Sequence, residues 1–196
     1  MNYAVSIVIP TLDEEFSIRQ TLDALRVFDE NIEIIIVDGG SRDATGDVLW
    51  FLHADTVPAP NCVRQLKRCL QNENVVGGNF TIRFDGERLA AKFLTWLYPK
   101  LNTLNLIYGD SAIFVRRDIY ERIGGFNDYP IFEDLDFIER LKRAGEVVTL
   151  PAVVTTSSRR FENKSFILTF LRWTILQMLY WLGVSPDALV KIYFPK

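Results

Sequence analysis

The sequence is organised around one stretch, Asp47-Val48-Leu49-Trp50-Phe51-Leu52-His53-Ala54-Asp55-Thr56. Its apolar run from Val48 to Leu52 shows no polar alternation, which is typical of a strand buried on both faces in a parallel sheet covered by helices. In open α/β sheets, ligands bind at the carboxyl ends of the strands. Asp55 therefore stands where a carboxylate could hold a divalent metal and, through it, a phosphate. The alternative is that Asp55 and Thr56 only begin a turn.

The composition is that of one globular domain. The chain has 196 residues, of which 48% are hydrophobic and 24% are charged, enough for a sizeable core. Its net charge of -3 supplies no basic field, so we expect no nucleic-acid partner. The two cysteines, Cys62 and Cys69, are too far apart on one predicted helix for a disulfide and too few for a zinc site. With no secretory signal before the first strand, we expect a cytoplasmic protein with reduced thiols.

Predicted strands and helices alternate along the chain. The β-branched run Ala4–Ile9 predicts a first strand that stops at Pro10. A helix with apolar residues on one face and a second apolar strand, Ile32–Val37, follow it. We therefore predict an α/β fold with a central, mostly parallel sheet flanked by helices, in a single domain over residues 1–196. Residues 164–196 form an apolar helical extension of that domain.

The connection before the central strand is unusually short. Strands Ile34–Asp38 and Val48–Leu52 both look central and parallel, yet only about nine residues separate them. A parallel crossover needs a dozen or more residues, usually a helix, and Ser41–Asp47 cannot supply one. Either the two strands are not adjacent and parallel, or a βα segment is missing between Thr45 and Gly46.

Polar clusters follow the predicted strands or open the predicted helices. They are Thr11–Glu15, Asp38, Asp55 and Glu133-Asp134. At one edge of a parallel sheet, such carboxylates suit a metal–diphosphate ligand and a general base. Each has a plainer alternative: Glu133 and Asp134 could complement a helix dipole, and Asp38 could be a turn residue. The pair Arg159-Arg160 is either a phosphate clamp or a solvated patch.

Missing motifs argue against other phosphate and hydrolytic chemistries. The sequence has no G-x-x-x-x-G-K-[ST] loop, which argues against a P-loop kinase or ATPase. No G-x-G-x-x-G follows the first strand, which argues against a dinucleotide oxidoreductase. His53 is the single histidine, and no G-x-S-x-G elbow accompanies it, which argues against a serine hydrolase.

Taken in order, these motifs resemble the series found in the family 2 glycosyltransferases with the GT-A fold. The motifs are Ile7–Glu15, Val37–Asp43, His53-Ala54-Asp55 and Glu133-Asp134. Three further stretches resemble one bacterial subgroup of that family, which has a His-Ala-Asp variant of the D-x-D motif. They are Leu52–Thr56, Gly109–Arg117 and Ser158–Phe161.

The resemblance implies an activity and a role for each matching residue. The activity is transfer of a sugar from a nucleoside-diphosphate sugar, with UDP favoured, to a hydroxyl acceptor, with inversion. Asp134 would be the catalytic base, and Asp55 would bind Mn²⁺ or Mg²⁺, with His53 in place of the first acid. The implied nucleotide-binding residues are Pro10, Thr11, Glu15, Asp38, Ser41, Arg159 and Arg160. The implied acceptor-side residues are Gly109, Asp110 and Glu133. Members of the family usually carry a βα unit of roughly 30 residues at the short junction.

The long apolar helix predicted near the C-terminus has two interpretations. Phe166–Val184 is 19 residues long, nearly enough to span a bilayer, but Arg172 and Gln177 interrupt it. We expect an amphipathic helix that packs on the domain and lies at the inner face of a membrane. The alternative is an ordinary core helix or one that contacts a second copy of the chain. A lipid-linked acceptor would make membrane contact useful. A non-catalytic nucleotide-binding or membrane-associated scaffold is the alternative function, supported by the short junction and by His53.

Overall fold

One mixed β-sheet runs through the described part of this computed structural model, residues 5–10, 17–25, 32–37, 48–103, 106–159 and 166–193. Its strands are β1 (Val5–Pro10), β2 (Ile32–Val37), β3 (Val48–Phe51), β4 (Thr56–Pro58), β5 (Val75–Phe84), β6 (Phe114–Arg116) and β7 (Glu146–Thr156). Among these described strands, the order in the sheet is β2-β1-β3-β6-β5-β7-β4.

The α/β class is confirmed, but the sheet is less parallel than the sequence predicted. Strand β1 is parallel to β2 and β3, and β5 is parallel to β7. Strand β6 lies antiparallel between β3 and β5, and β4 lies antiparallel to β7. Both antiparallel strands are only three residues long, so no periodicity in the sequence indicates the direction in which they pair.

Helices cover the sheet on both faces. They are α1 (Ser17–Leu25), α2 (Cys62–Cys69), α3 (Leu89–Thr103), α4 (Arg117–Arg122), α5 (Glu133–Ala144), α6 (Phe166–Trp181) and α7 (Pro186–Tyr193), with a 3-10 helix at Gly109–Ser111. Strand β3 is buried on both faces, as predicted. Val48 and Trp50 belong to the core on one face, whereas Leu49 belongs to the core on the other and Phe51 packs against it.

The sheet is strongly curled, because a short connection joins two distant strands. Strand β3 ends at Phe51 and β4 begins at Thr56, yet β6, β5 and β7 lie between them. In a flat sheet the two strands would stand about 19 Å apart, more than the ~18 Å that five fully extended steps can reach. The connection also turns, since the Thr56 N–H donates to the His53 carbonyl at 3.0 Å. The edges of the sheet must therefore approach each other around this turn.

The short junction joins strands that are parallel but not adjacent. Strands β2 and β3 pair with opposite sides of β1, so β1 separates them. The two strands are therefore not adjacent in the sheet, which is the first of the two alternatives that the short junction left open. Residues 38–47, which connect the two strands, lie outside the described residues. The βα segment predicted to be missing between Thr45 and Gly46 stays a prediction.

The C-terminal extension forms a helical hairpin that packs on the start of α5. Leu176 of α6 and Leu189 of α7 are buried against Leu135 of α5. Arg172 of α6 donates to the carbonyl oxygens of Ile192 and Tyr193, the last two residues of α7. Within the residues that the structure describes, no helix is both long enough and apolar enough to cross a bilayer.

Candidate functional site

The ends of several strands meet at one edge of the sheet. Strands β1 and β2 end at Pro10 and Val37, which are partners in the parallel register. Beyond β3, the Leu52 N–H donates to the Val8 carbonyl at 2.9 Å, so the turn that follows lies at the same edge. Strand β6 is antiparallel to β3, which brings the residues preceding it to this edge as well; the Phe51 N–H donates to the Ile113 carbonyl at 2.8 Å.

Asp134 is held at this edge by two backbone N–H groups. It occupies the first turn of α5, where the Gly109 N–H donates to its Oδ2 at 2.7 Å and the Leu135 N–H donates to its Oδ1 at 2.8 Å. Burial raises the pKa of Asp134 to about 6, and the charges of Glu133 and Asp110 add to the rise, although the two N–H donors oppose it. A fixed carboxylate that titrates near neutral pH has the properties of a general base.

Gly109 allows three functional groups to meet. A Cβ at this position would lie 3.2 Å from Asp134 Oδ2 and 3.5 Å from His53 Nε2. His53 Nε2 also lies 3.9 Å from Asp110 Oδ1, an ion pair only when the imidazole is protonated. The structure therefore brings the predicted acceptor-side residues Gly109 and Asp110 together with Asp134, and Glu133 is close enough to raise its pKa.

Backbone strain flanks this cluster. Among the described residues, Ala112 and Phe132 are the non-glycine residues with positive φ, at 55° and 64°. Ala112 follows the 3-10 helix that carries Gly109 and Asp110, and Phe132 directly precedes α5. Each left-handed residue costs roughly 1–2 kcal/mol, and such strain concentrates at functional sites. Here the two strained residues lie within three positions of Gly109 and Asp134, whose hydrogen bond they flank.

A second pair of polar side chains lies at the turn between β3 and β4. The Arg159 guanidinium is 3.5 Å from Asp55 Oδ2. The loop that carries Arg159 is held by Asp85, whose carboxylate accepts the Ser158 N–H at 2.5 Å. Asp85 was not predicted from the sequence. The signal was available, because Asp85 directly follows an apolar strand, as Asp38 does.

Helix α6 forms one wall of the site. The Tyr108 hydroxyl donates to Gln177 Oε1 at 3.1 Å, and Phe132 packs against Trp173 and Tyr180 with ring centroids 5.8 and 5.2 Å apart. Burial raises the pKa of Tyr108, and the nearby Asp134 charge adds to it. Sequence reasoning missed this wall. The one feature of the sequence that could have indicated this contact is Gln177, a lone amide in an apolar helix.

The family is decided by a match to more than half of the chain. The family model for Glycosyl transferase family 2 matches residues 6–46 and 42–124. The chain belongs to glycosyltransferase family 2. The two matched pieces meet at residues 42–46, the same place as the short junction in the sequence.

A curated relative is also named as a glycosyltransferase. The probable glycosyltransferase YdaM of Bacillus subtilis (strain 168) is 24% identical over 212 residues, which cover 77% of this chain and 50% of the relative. The chain thus spans about half of the length of that relative. Because the aligned region is longer than the part of this chain that it covers, the relative carries residues there that this chain lacks.

Two solved structures show the fold. The mannosyltransferase PcManGT from Pyrobaculum calidifontis, solved with GDP-Man and Mn²⁺, has a TM-score of 0.64 at 17% identity and covers 91% of this chain and 62% of its own. Glucosyl-3-phosphoglycerate synthase from Mycobacterium tuberculosis, solved with Mn²⁺, UDP-Glc and phosphoglyceric acid, has a TM-score of 0.60 at 18% identity and covers 93% and 81%. The predicted GT-A fold is confirmed.

The donor groups of this family 2 domain fit a metal that is shared with a ligand. Asp55 offers one hard carboxylate at the turn, and Mg²⁺-like ions are commonly held by one or two carboxylates plus phosphate oxygens. Among the described residues, no group of three or more His, Cys, Asp or Glu side chains could hold a metal ion by itself. The site therefore fits an ion bound between Asp55 and a diphosphate, rather than one enclosed by protein.

Several predicted nucleotide-binding residues of the family 2 motifs lie outside the described residues. They are Thr11, Glu15, Asp38, Ser41 and Arg160. Pro10 lies within the described part, as the last residue of β1. The roles of all six stay predictions.

Proposed function

We propose that this family 2 domain transfers a sugar from a nucleoside-diphosphate sugar, with UDP favoured, to a hydroxyl acceptor with inversion at the anomeric carbon. The observation that carries the proposal is Asp134, a carboxyl with a pKa of about 6 that two backbone N–H groups hold at the edge where the strands end. The relatives solved with GDP-Man or UDP-Glc support the donor class.

In the proposed reaction, Asp134 takes the proton of the acceptor hydroxyl while the oxygen of that hydroxyl attacks the anomeric carbon. The new C–O bond forms on the face opposite the bond to the diphosphate, which breaks and leaves its electron pair on the nucleoside diphosphate. Arg159, with Arg160 beside it in the sequence, donates N–H groups to the phosphate oxygens. A divalent ion on Asp55, Mn²⁺ or Mg²⁺, would neutralise the charge that develops on the departing diphosphate. Gly109, Asp110 and Glu133 would face the acceptor.

The nucleoside end of the donor is assigned to the motifs beyond β1 and β2. Pro10, Thr11, Glu15, Asp38 and Ser41 would bind it, as the family resemblance implies. We further propose that a βα unit that forms part of this pocket in relatives is missing between Thr45 and Gly46. The split family match and the extra aligned residues of the Bacillus subtilis relative support this proposal.

The proposed location is the cytoplasm. Cys62 and Cys69 are both free, and burial raises their pKa values to about 12 and about 11. Such thiols stay protonated and unreactive at neutral pH. They are compatible with a reducing compartment, where free cysteines persist.

Donor turnover tests the proposal against the alternative of a non-catalytic nucleotide-binding scaffold, which the short junction and His53 favour. The wild-type protein and the Asp134→Asn variant are incubated with UDP- and GDP-sugars and Mn²⁺, and nucleoside diphosphate release and calorimetric binding are both measured. We expect turnover by the wild type, and binding without turnover by Asp134→Asn. The Asp118→Asn variant, which changes an exposed first-turn acid of α4, is the matched control and should keep full activity. Binding without turnover by the wild type would support the scaffold, and turnover by Asp134→Asn would disprove the assignment of the base.

A further inference from the structure

Helix α6 carries an exposed apolar stripe on the side that faces away from the domain. The stripe has a three–four spacing along the helix, and its residues are between 51% and 79% exposed. They are Leu168, Leu171, Ile175, Met178 and Leu182, the last just beyond the end of α6. On the opposite side of the helix, Trp173 and Tyr180 pack on Phe132, and Leu176 is buried. The helix is therefore apolar on both sides, and only the inner side is covered by the described residues.

Helix α3 continues the exposed stripe. Leu89, Phe93 and Trp96 share one helical face and are 86%, 40% and 59% exposed. Phe93 packs on Phe166 and Phe170 of α6, with ring centroids 5.8 and 6.0 Å apart. This packing places the exposed face of α3 beside α6, and we call the exposed apolar residues of the two helices together the α3–α6 surface. Contiguous apolar patches of this kind mark sites of interaction with a protein or a membrane.

The charged residues within the two helices have one sign. Helices α3 and α6 contain no Asp or Glu, although the chain as a whole has a net charge of -3. Their charged residues are Lys92, Lys100 and Arg172. Lys100 lies 4.5 Å from the centre of the Trp96 ring, whereas Lys92 pairs with Glu87 just before α3, at 2.9 Å. Exposed tryptophan beside lysine is the pattern of a side-chain pair at a lipid–water boundary.

We propose that the α3–α6 surface docks on an anionic lipid bilayer, with α6 lying in the plane of the interface. The proposal rests on the proposed transfer to a hydroxyl acceptor and names the class of that acceptor, a membrane lipid that presents its hydroxyl at the bilayer surface. Apolar side chains enter the boundary between headgroups and acyl chains, and the lysines meet the negative headgroups.

A bilayer fits this surface better than a second copy of the chain does. The spacing of the stripe would also suit the seam of a coiled coil, whose flanking positions commonly pair opposite charges. Here those flanks include the exposed apolar residues Ile167 and Trp181, and α6 has no acid, so pairs of opposite charge cannot form along it. The aromatic face of α3 also lies outside any such seam, but it would be covered by a bilayer.

Docking on this surface would place the candidate active site beside the bilayer. The inner side of α6 contacts Tyr108 through Gln177, and Tyr108 directly precedes Gly109, whose N–H holds Asp134. The same side contacts Phe132, two residues before Asp134. A lipid anchored beside α6 could therefore bring its hydroxyl to Asp134 without leaving the membrane.

Vesicle sedimentation tests the docking. The probes are vesicles of phosphatidylcholine alone and vesicles that contain 30% phosphatidylglycerol, each at low and high salt. We expect the wild-type protein to sediment with the anionic vesicles, less so at high salt, and the double variant Leu168→Glu/Ile175→Glu to stay in solution. The variant Ile192→Glu is the matched control, because Ile192 is similarly exposed but lies outside the surface, and it should sediment like the wild type. The Lys92→Gln/Lys100→Gln variant keeps all the apolar residues of the surface. Its affinity for the anionic vesicles should fall about fivefold for each lysine replaced.

Three independent readouts separate the possible failures. Circular dichroism and donor hydrolysis without vesicles report whether each variant is folded and active, and analytical ultracentrifugation reports its oligomeric state. Donor turnover without vesicle binding by the wild type would overturn the docking alone, and vesicle binding without turnover would overturn the proposed function alone. A wild-type dimer that Ile175→Glu converts to a monomer, with no vesicle binding, would show that the surface joins two copies instead. Equal binding to neutral and anionic vesicles would overturn the role of the lysines.

Discussion

Asp134 shows how one residue couples the proposed activity to stability. Its carboxyl must lose a proton before it can accept one from an acceptor, and its pKa of about 6 places that loss just below neutral pH. We expect kcat/KM to fall about tenfold for each pH unit below 6 and to be level above pH 7. A pH–rate profile with saturating Mn²⁺ measures this. A profile that stays level down to pH 5 would contradict the role of Asp134.

Because of the same raised pKa, the contribution of Asp134 to the stability of the folded protein is less favourable at neutral pH than at pH 4. An aspartate in the unfolded chain titrates near ~3.9, so between about pH 4 and pH 6 the folded state binds the Asp134 proton more tightly than the unfolded chain does. The protonated Asp134 therefore contributes to the free energy of unfolding below this pH window. That contribution is lost as the pH rises through the window, a loss of about 3 kcal/mol at most. Urea denaturation should show this fall in the wild type, but a smaller one in Asp134→Asn.

Asp85 positions an arginine rather than touching the proposed substrate. Its carboxylate holds the Ser158 N–H, next to Arg159. In the Asp85→Ala variant we expect the Kd for UDP with Mn²⁺ to rise about fivefold, because the loss of a charged hydrogen bond releases the loop. The Asp85→Asn variant keeps an acceptor oxygen and should lose less. Calorimetry measures both, and an unchanged Kd in Asp85→Ala would show that the loop holds its place without Asp85.

The sequence could predict candidate residues that stand at the end of a strand or the start of a helix, but not contacts between residues that are distant in the chain. Asp55 and Asp134 stand where a strand ends or a helix begins, so their positions were readable from local pattern. Tyr108 and Gln177 meet across 69 positions of the chain, and Asp85 meets Ser158 across 73. Such contacts depend on how the sheet curls and where α6 packs, which no local periodicity encodes.

At the scale of elements, the C-terminal hairpin shows how a polar residue in an apolar helix can have a structural purpose. Arg172 was read from the sequence as an interruption that a bilayer core would disfavour. In the structure its guanidinium satisfies the Ile192 and Tyr193 carbonyls at the end of α7 and lies 5.1 Å from the Tyr193 ring. The residue therefore ties α7 to α6, since the last carbonyls of a helix have no partner within the helix.

Replacing Arg172 should weaken the hairpin. We expect Arg172→Leu to lower the free energy of unfolding by about 1.5–3 kcal/mol, the usual size of hydrogen bonds to a charged group. Arg172→Lys is the matched control. It keeps the charge but not the forked donor, so its loss should be intermediate. Urea denaturation gives the free energies of unfolding. In the leucine variant, the rate of amide hydrogen exchange should increase more in α7 than in β5. A leucine variant as stable as the wild type would mean that packing alone holds the hairpin.

Longer elements were easier to predict than the ways in which they pair. Strand β2 has the predicted bounds, and the two-sided burial of β3 follows from its uninterrupted apolar run. The sequence predicted no strand at β4 and offered only a turn at Asp55 and Thr56, because three residues are too few to show the alternation of a strand. The insertion of β6 between β3 and β5, which makes the sheet mixed, depends on long-range pairing in the same way.

At the scale of the whole molecule, the proposed ligand would join parts of the sheet that are distant in sequence. Asp55 lies between β3 and β4, and Arg159 follows β7, which pairs with β4. The antiparallel pairing of β4 with β7 brings these two side chains within 3.5 Å of each other. A diphosphate bound between them would therefore stabilise the cooperative unit that contains both strands, not one loop alone.

Thermal denaturation can separate the metal and nucleotide contributions to that stability. A ligand at 100 times its Kd stabilises a protein by about 2.7 kcal/mol, which for a chain of this size raises Tm by about 5–10 °C. We expect that rise with UDP and Mn²⁺ together, and a smaller one with UDP alone. Asp55→Asn should lose the part that depends on Mn²⁺ but keep the rest, because Arg159 still meets the phosphates. Asp110→Asn, an acid on the acceptor side, is the matched control and should keep both parts. If Mn²⁺ added nothing to the effect of UDP in the wild type, Asp55 would not be the metal ligand, and the diphosphate would be held by the arginines alone.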